Sequence, residues 1–137
     1  MPPDNAATVA VGGDVDFPQD GLNTDPTDIA RLTNDSFQLG ADGIYEILAQ
    51  VSVAEAGQLI LTLGGTDLPY TVAGRATGTS QIIISAIIQT LGGTVGPNQV
   101  LTVRNPTGNA AALTITPLAG GTRPVSASLI IKRLMTV

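Results

Sequence analysis

Carboxylates are concentrated in one stretch near the start of the chain. Asp14, Asp16 and Asp20 lie in a segment rich in glycine and proline, with Asp25 and Asp28 behind them. Carboxylate oxygens on a turn-rich loop are the ligands that Ca²⁺, a hard cation, prefers. The spacing does not follow that of an EF-hand. The sequence therefore leaves two alternatives, a calcium site made by Asp14, Asp16 and Asp20 or a solvated acidic loop, and we favour the solvated loop.

A second candidate ligand site comprises Arg75 and Tyr70. Arg75 lies in a segment of glycine, threonine and serine over residues 74–80, and its guanidinium could bind an anion or a sugar. Tyr70 is the one aromatic residue that we place in a binding groove, because Phe37 and Tyr45 are expected in the core. The alternative for Arg75 is an ordinary surface position in a flexible loop.

The chain contains no histidine and no cysteine. Nucleophile systems of the Ser-His and Cys-His kind are therefore excluded, and zinc and redox-metal sites lose their usual ligands. An enzyme would have to depend on carboxylates, and no apolar surrounding is evident in the sequence that would raise the pKa of one of them. We expect a protein that is not an enzyme and that needs no cofactor unless Ca²⁺ binds.

Charge is distributed unevenly along the chain. All eleven acidic residues lie before position 68. Arg31 is the only base in that part of the chain, and every other base lies after it. The net charge of −5 argues against nucleic acid as a partner, since binding to phosphates needs clustered lysine and arginine. The two halves of a β-sandwich interleave, so we expect Arg104 and Arg133 to pair with acids of the first half.

Short strand patterns separated by turn residues recur along the whole chain. Isoleucine, valine and threonine dominate, and no helical period lasts longer than two turns. The pattern predicts an all-β sandwich in one domain, 1–137, of which residues 1–28 hold the first strand and the acidic loop. No apolar run approaches the roughly 20 residues that span a bilayer, so membrane insertion is not expected. The predicted strands are 6–11, 29–33, 36–39, 43–53, 58–63, 68–72, 81–91, 99–104, 111–116 and 125–135.

Two of the predicted strands, 81–91 and 125–135, are apolar on both faces. A strand of an ordinary antiparallel sandwich has one face packed against the core and one face exposed to solvent. A second buried surface is therefore required, and 137 residues leave little material for a further layer of the same chain. We expect an obligate oligomer. The residues that we assign to its interface or core are Tyr45, Ile82, Ile84, Ile87, Leu129, Ile131 and Arg133.

The segment 36–48 resembles the signature of the C1q/TNF-like jelly roll. In it a short strand led by Phe37 passes through the turn at Asp42-Gly43 into a strand that carries Tyr45. Three further segments match in the expected order, namely 16–18, 99–105 and 127–134. Together they are similar to the C-terminal domains of collagen-like spore-surface (exosporium) glycoproteins, a bacterial branch of that superfamily.

The resemblance implies a ten-stranded jelly roll, a threefold homotrimer without enzymatic activity and a place outside the cell, on the spore surface. In such proteins the domain caps a collagen-like stalk and nucleates its trimerisation. The 16 glycines of this chain never recur with the period of three that collagen requires. The expected function is a structural or recognition head, with its own copies and a surface receptor or glycan as partners. The alternative is the carbohydrate- or receptor-binding trimeric head of a phage tail fibre.

Overall fold

The computed structural model describes residues 8–76, 81–116, 121–123 and 127–137. In these ranges the chain forms eleven β-strands and two single-turn 3-10 helices, Pro69–Thr71 and Pro97–Gln99, and none of its helices is long and apolar enough to cross a membrane. The prediction of an all-β chain is confirmed. The strands are β1 (Thr8–Val9), β2 (Ile29–Arg31), β3 (Phe37–Leu39), β4 (Gly43–Ser52), β5 (Gly57–Leu63), β6 (Thr66–Asp67), β7 (Ala73–Arg75), β8 (Gln81–Gln89), β9 (Val100–Arg104), β10 (Leu113–Thr114) and β11 (Ala127–Thr136).

The longest strands form a three-stranded antiparallel sheet in the order β11-β4-β8. The central strand β4 pairs with β8 from Ile44, opposite Gln89, to Ser52, opposite Gln81. On its other side β4 pairs with β11, whose register shifts at a bulge between Arg133 and Met135. Strand β4 therefore has hydrogen-bonded neighbours on both sides, whereas β8 and β11 are the outer strands of this sheet.

A second antiparallel sheet has the order β2-β3-β9-β5-β6, and β7 also pairs with β5. A short two-stranded sheet joins β1 to β10. Apolar side chains from these sheets share one buried cluster, which includes Phe37 and Leu39 of β3, Leu61 of β5 and Val103 of β9. The antiparallel sheets thus enclose a common core, as the sheets of a β-sandwich do.

Strand β4 shows the alternation that its sequence predicts. Tyr45, Ile47, Ala49 and Val51 are buried, and the residues between them lie on the opposite face. The turn that leads into this strand is held from inside the core. Thr90 Oγ1 donates to the Gly40 carbonyl at 2.6 Å and accepts the Gly43 N–H at 3.0 Å.

The buried hydroxyl of Tyr45 donates to the Gly40 carbonyl at 3.2 Å. The same turn admits no side chain at Gly43, because a Cβ there would lie 2.7 Å from Cε2 of Tyr45. Asp42, just before it, adopts a positive φ of 52°, a conformation that aspartate tolerates better than most residues. The turn and the tyrosine therefore fit as one unit.

We predict that Tyr45→Phe lowers the free energy of unfolding by about 1 kcal/mol, because it leaves the Gly40 carbonyl without one of its donors. Urea denaturation measures the change. Tyr70→Phe is the matched control, since Tyr70 is 66% exposed, and it should leave the denaturation midpoint unchanged. Equal effects of the two substitutions would contradict the assigned role of the Tyr45 hydroxyl.

Residues 68–72 do not form the predicted strand. They contain the 3-10 helix Pro69–Thr71, because Pro69 has no N–H to donate to a sheet. Thr71 Oγ1 also donates to the Leu68 carbonyl at 2.8 Å and accepts the Leu61 N–H at 3.0 Å, which stabilises the turn. Strand β7 was missed because its middle residue, Gly74, suggests a loop.

The other predicted strands are present with shorter or shifted bounds. The largest reductions occur where the predicted strand 6–11 gives β1 and the predicted strand 111–116 gives β10. Residues 6, 7, 125 and 126 of the predicted strands lie outside the described residues, as do residues 77–80 of the segment assigned to a loop.

Candidate functional site

The carboxylates of the acidic segment do not lie together in one cluster. Asp14 accepts hydrogen bonds from Arg104, from Nε at 2.8 Å and from Nη2 at 3.2 Å on its second oxygen. Asp20 accepts from Nε of Arg31 at 2.7 Å. Within the described ranges no group of three or more acidic side chains is arranged to hold a metal ion. The proposed calcium ligands Asp14, Asp16 and Asp20 are thus not brought together, because two of them pair with arginines of different strands.

Asp16 lies between Asp14 and Asp20 in the sequence, but the environment of its carboxyl differs from theirs. Partial burial raises the pKa of the Asp16 carboxyl, and the negative charges of Asp35 and Asp14 raise it further. A carboxyl whose pKa is higher in the folded state than in the unfolded state makes folding less favourable once it is ionised. Asp16 therefore opposes folding at neutral pH.

We expect the Asp14–Arg104 pair to stabilise the fold more than the Asp20–Arg31 pair. The side chains are 17% and 23% exposed in the first pair, whereas Asp20 is 71% exposed in the second. A double-mutant cycle with Asp14→Asn and Arg104→Gln should give a coupling free energy of about 1–2 kcal/mol. The matched cycle with Asp20→Asn and Arg31→Gln should give about 0.5 kcal/mol or less. Equal coupling energies would show that burial does not distinguish the pairs.

We predict that Asp16→Asn raises the free energy of unfolding at pH 7. At that pH the wild-type carboxyl is charged in both states, and its charge is disfavoured in the folded one. The difference between variant and wild type should shrink as the pH falls toward 3, where the carboxyl is protonated in both states. Urea denaturation at the two pH values measures it. A gain in stability that stays constant with pH would exclude ionisation of Asp16 as its cause.

Arg75 and Tyr70 do not form the expected ligand site. Nε of Arg75 donates to the Glu55 carbonyl at 3.1 Å, and Nη2 donates to the carbonyls of Glu55 and Val53 at 2.7 and 2.5 Å. The guanidinium therefore fixes the turn between β4 and β5 to β7. Tyr70 belongs to the 3-10 helix and remains largely exposed. No signal in the sequence indicates this role of Arg75, because the carbonyl groups to which it donates are about twenty residues away.

Arg104 and Arg133 pair with acids of the first half, as the charge distribution predicts. Arg104 binds Asp14, and Nε of Arg133 lies 3.6 Å from Oδ2 of Asp28. Arg133 also donates to Oγ1 of Thr136 at 2.6 Å. These contacts connect the last strands of the chain to its acidic first part.

The sheet β11-β4-β8 has a second apolar face, turned away from the core. Its side chains come from the positions that alternate with the buried ones, and register places Ile130 opposite Leu48. More than half of the surface of Ile83, Ile87 and Ile130 is exposed. We call this surface the outer face, and its apolar residues are Ile44, Leu48, Ile83, Ile87, Ile130 and Met135.

One ion pair lies on the outer face. Lys132 and Glu46 are register partners, and Nζ of Lys132 lies 3.6 Å from Oε2 of Glu46. Large contiguous apolar patches are uncommon on monomers and are typical of interaction sites. The outer face is therefore a candidate for contact with another protein surface.

The seven residues assigned to the interface or core are divided among three places. Tyr45, Ile82 and Ile84 are fully buried in the core of the chain itself, and Ile87 lies on the outer face. Leu129, Ile131 and Arg133 point to the inner side of β11 and are partly buried. The other apolar residues of the outer face were not among the seven, namely Ile44, Leu48, Ile83, Ile130 and Met135. The alternation from Tyr45 could have identified Leu48, whereas Ile83 and Ile130 require the register of the neighbouring strands.

A groove of about 760 Å³ lies beside β11. One wall is the loop 19–25 with part of β2, and the other is β11 from Ala127 to Arg133. The ring of Phe37 lines the groove, and the guanidinium of Arg31 lies 5.2 Å from its centroid. Leu22, in the loop, is 93% exposed. The groove thus combines an apolar lining with charged groups, as ligand sites commonly do.

Neither the protein-family models nor the curated proteins compared with this chain give a match. The similarity to collagen-like spore-surface glycoproteins therefore stays a prediction from the residues that carry it.

Proposed function

We propose that this protein is a non-enzymatic jelly-roll head that assembles into a homotrimer through the outer face. The observation that carries the proposal is the exposure of Ile83, Ile87 and Ile130 on one face of the sheet β11-β4-β8. Full burial of such a side chain contributes about 1.5–3 kcal/mol. About half of each side chain is already covered in the single chain, so association of outer faces contributes roughly half of that range for each isoleucine. The proposal of three chains, rather than another number, rests on the resemblance of residues 36–48 to the C1q/TNF-like signature.

The same resemblance supports a place for this head at the tip of a collagen-like filament on a bacterial spore or cell surface. Its role there is mechanical, because a trimeric head aligns the three chains fused to it. The alternative, the carbohydrate- or receptor-binding trimeric head of a phage tail fibre, has Arg75 and Tyr70 as its candidate ligand residues. That arginine donates instead to the carbonyls of Val53 and Glu55, so no specific observation favours the alternative.

Light scattering coupled to size-exclusion chromatography tests the assembly. At micromolar concentration we expect three times the 13.9 kDa mass of the chain. The double variant Ile87→Glu/Ile130→Glu should be monomeric, because it places charges in the apolar contact. Its matched control is Leu32→Glu/Val95→Glu, which changes two side chains that are each 53% exposed and lie outside the outer face.

A monomeric wild-type chain would overturn the proposal. A dimer would retain the outer face as an interface but exclude the trimer. Dissociation of the Leu32→Glu/Val95→Glu variant as well would show that added charge, rather than its position, separates the chains.

A further inference from the structure

Strand β11 has one edge that no other described strand pairs with. It is ten residues long, and it borders β4 on one side only. The backbone N–H and C=O groups of an outer strand remain available to a further strand unless something covers them. An edge of this length therefore offers hydrogen bonds to an extended polypeptide.

The groove beside β11 gives access to this edge. Its lining includes Leu129, Ile131 and Arg133 from one set of alternating positions, and Ser128 and Lys132 from the other. Successive side chains of a strand point to opposite faces of the sheet. A groove that touches both sets must pass the backbone edge between them, so the edge itself is part of the wall.

The side chains on the inner side of β11 specify what an added strand would carry. Leu129 and Ile131 are partly buried hydrophobic residues, and Arg133 follows them at the next inner position. Arg133 lines the groove and 28% of its side chain is exposed. Its Nη2 donates to Thr136, and its buried Nε lies 3.6 Å from Oδ2 of Asp28, which is long for a hydrogen bond, so the exposed side of the guanidinium can bind a further carboxylate. Directly opposite residues of neighbouring strands interact most strongly. The complementary strand thus has two apolar side chains and one acidic side chain at alternate positions.

We propose that this groove binds an extended segment of another protein as an additional strand, antiparallel to β11. Strand addition to an exposed edge is a recurring mode of peptide recognition, in which backbone hydrogen bonds give affinity and alternate side chains give specificity. Read from its N-terminus, the bound segment has an acidic residue opposite Arg133, then apolar residues opposite Ile131 and Leu129. The site goes beyond the proposed assembly, since it uses the inner side and edge of β11 rather than the outer face.

A synthetic peptide tests the proposal on the full chain. The probe is the acetylated and amidated heptapeptide Thr-Glu-Thr-Ile-Thr-Val-Thr, and calorimetry or fluorescence polarisation measures its affinity. Two derivatives carry backbone N-methyl groups, one on the Glu, Ile and Val amides and the other on the central threonine amides. Only one of these two sets of amides can face β11 in an antiparallel pair. We expect one derivative to lose affinity by about tenfold or more and the other to change by less than about threefold.

Variants of the protein test the side-chain contacts. Arg133→Gln should reduce affinity for the probe by about tenfold, and it should remove the preference of the chain for the probe over the same peptide with Gln in place of Glu. The Ile83→Glu/Ile87→Glu variant is the control, because both changes lie on β8, which β4 separates from β11, and it should bind the probe as wild type does. Circular dichroism of each variant verifies that the fold is retained.

No binding of the probe at millimolar concentration would overturn the proposal, as would equal losses for the two methylated derivatives. Light scattering of the same samples keeps this test separate from that of the assembly. A monomeric chain that binds the probe would contradict only the proposed trimer, and a trimer that does not bind it would contradict only the proposed groove.

Discussion

The phase of side-chain alternation along β4 determines which surfaces of the protein face the core and which face water. This strand has partners on both sides, so its phase is imposed on β8 and β11 through their register. The phase is set where the strand begins. There the Tyr45 hydroxyl and Thr90 both donate to the Gly40 carbonyl, and Gly43 leaves room for the tyrosine ring. A slip of one residue would exchange the core with the outer face along all three strands.

Electrostatic contacts connect parts of the chain that are far apart in sequence. Asp14 and Arg104 are separated by ninety residues, yet they occupy one antiparallel bridge beside β9. Asp28 and Arg133 connect the start of β2 to the end of β11. Because the acids and the later bases lie in opposite halves of the chain, such pairs form only once the two halves have interleaved. These pairs therefore stabilise the complete fold rather than any local fragment of it.

The all-β class, the buried face of β4 and the pairing of Arg104 and Arg133 with earlier acids could be predicted because each depends on local alternation or on overall charge. A 3-10 helix at Pro69 lies where a strand was predicted, although a proline is itself unfavourable within a strand. The contacts of Arg75 with Val53 and Glu55 could not be predicted, since they are made to backbone carbonyl groups, which carry no side-chain signature. The groove could not be predicted either, because it requires the loop 19–25 and β11 to be adjacent, and only long-range topology places them so.

The bulge at the end of β11 limits how far its edge extends. An extra residue between the pairs at Arg133 and Met135 interrupts the regular ladder and increases the local twist of the strand. An edge that is regular along its whole length can stack against the same edge of other molecules and grow into fibrils. Here the regular stretch ends at Arg133. The bulge thus sets one end of the stretch along which a further strand can pair in register with β11.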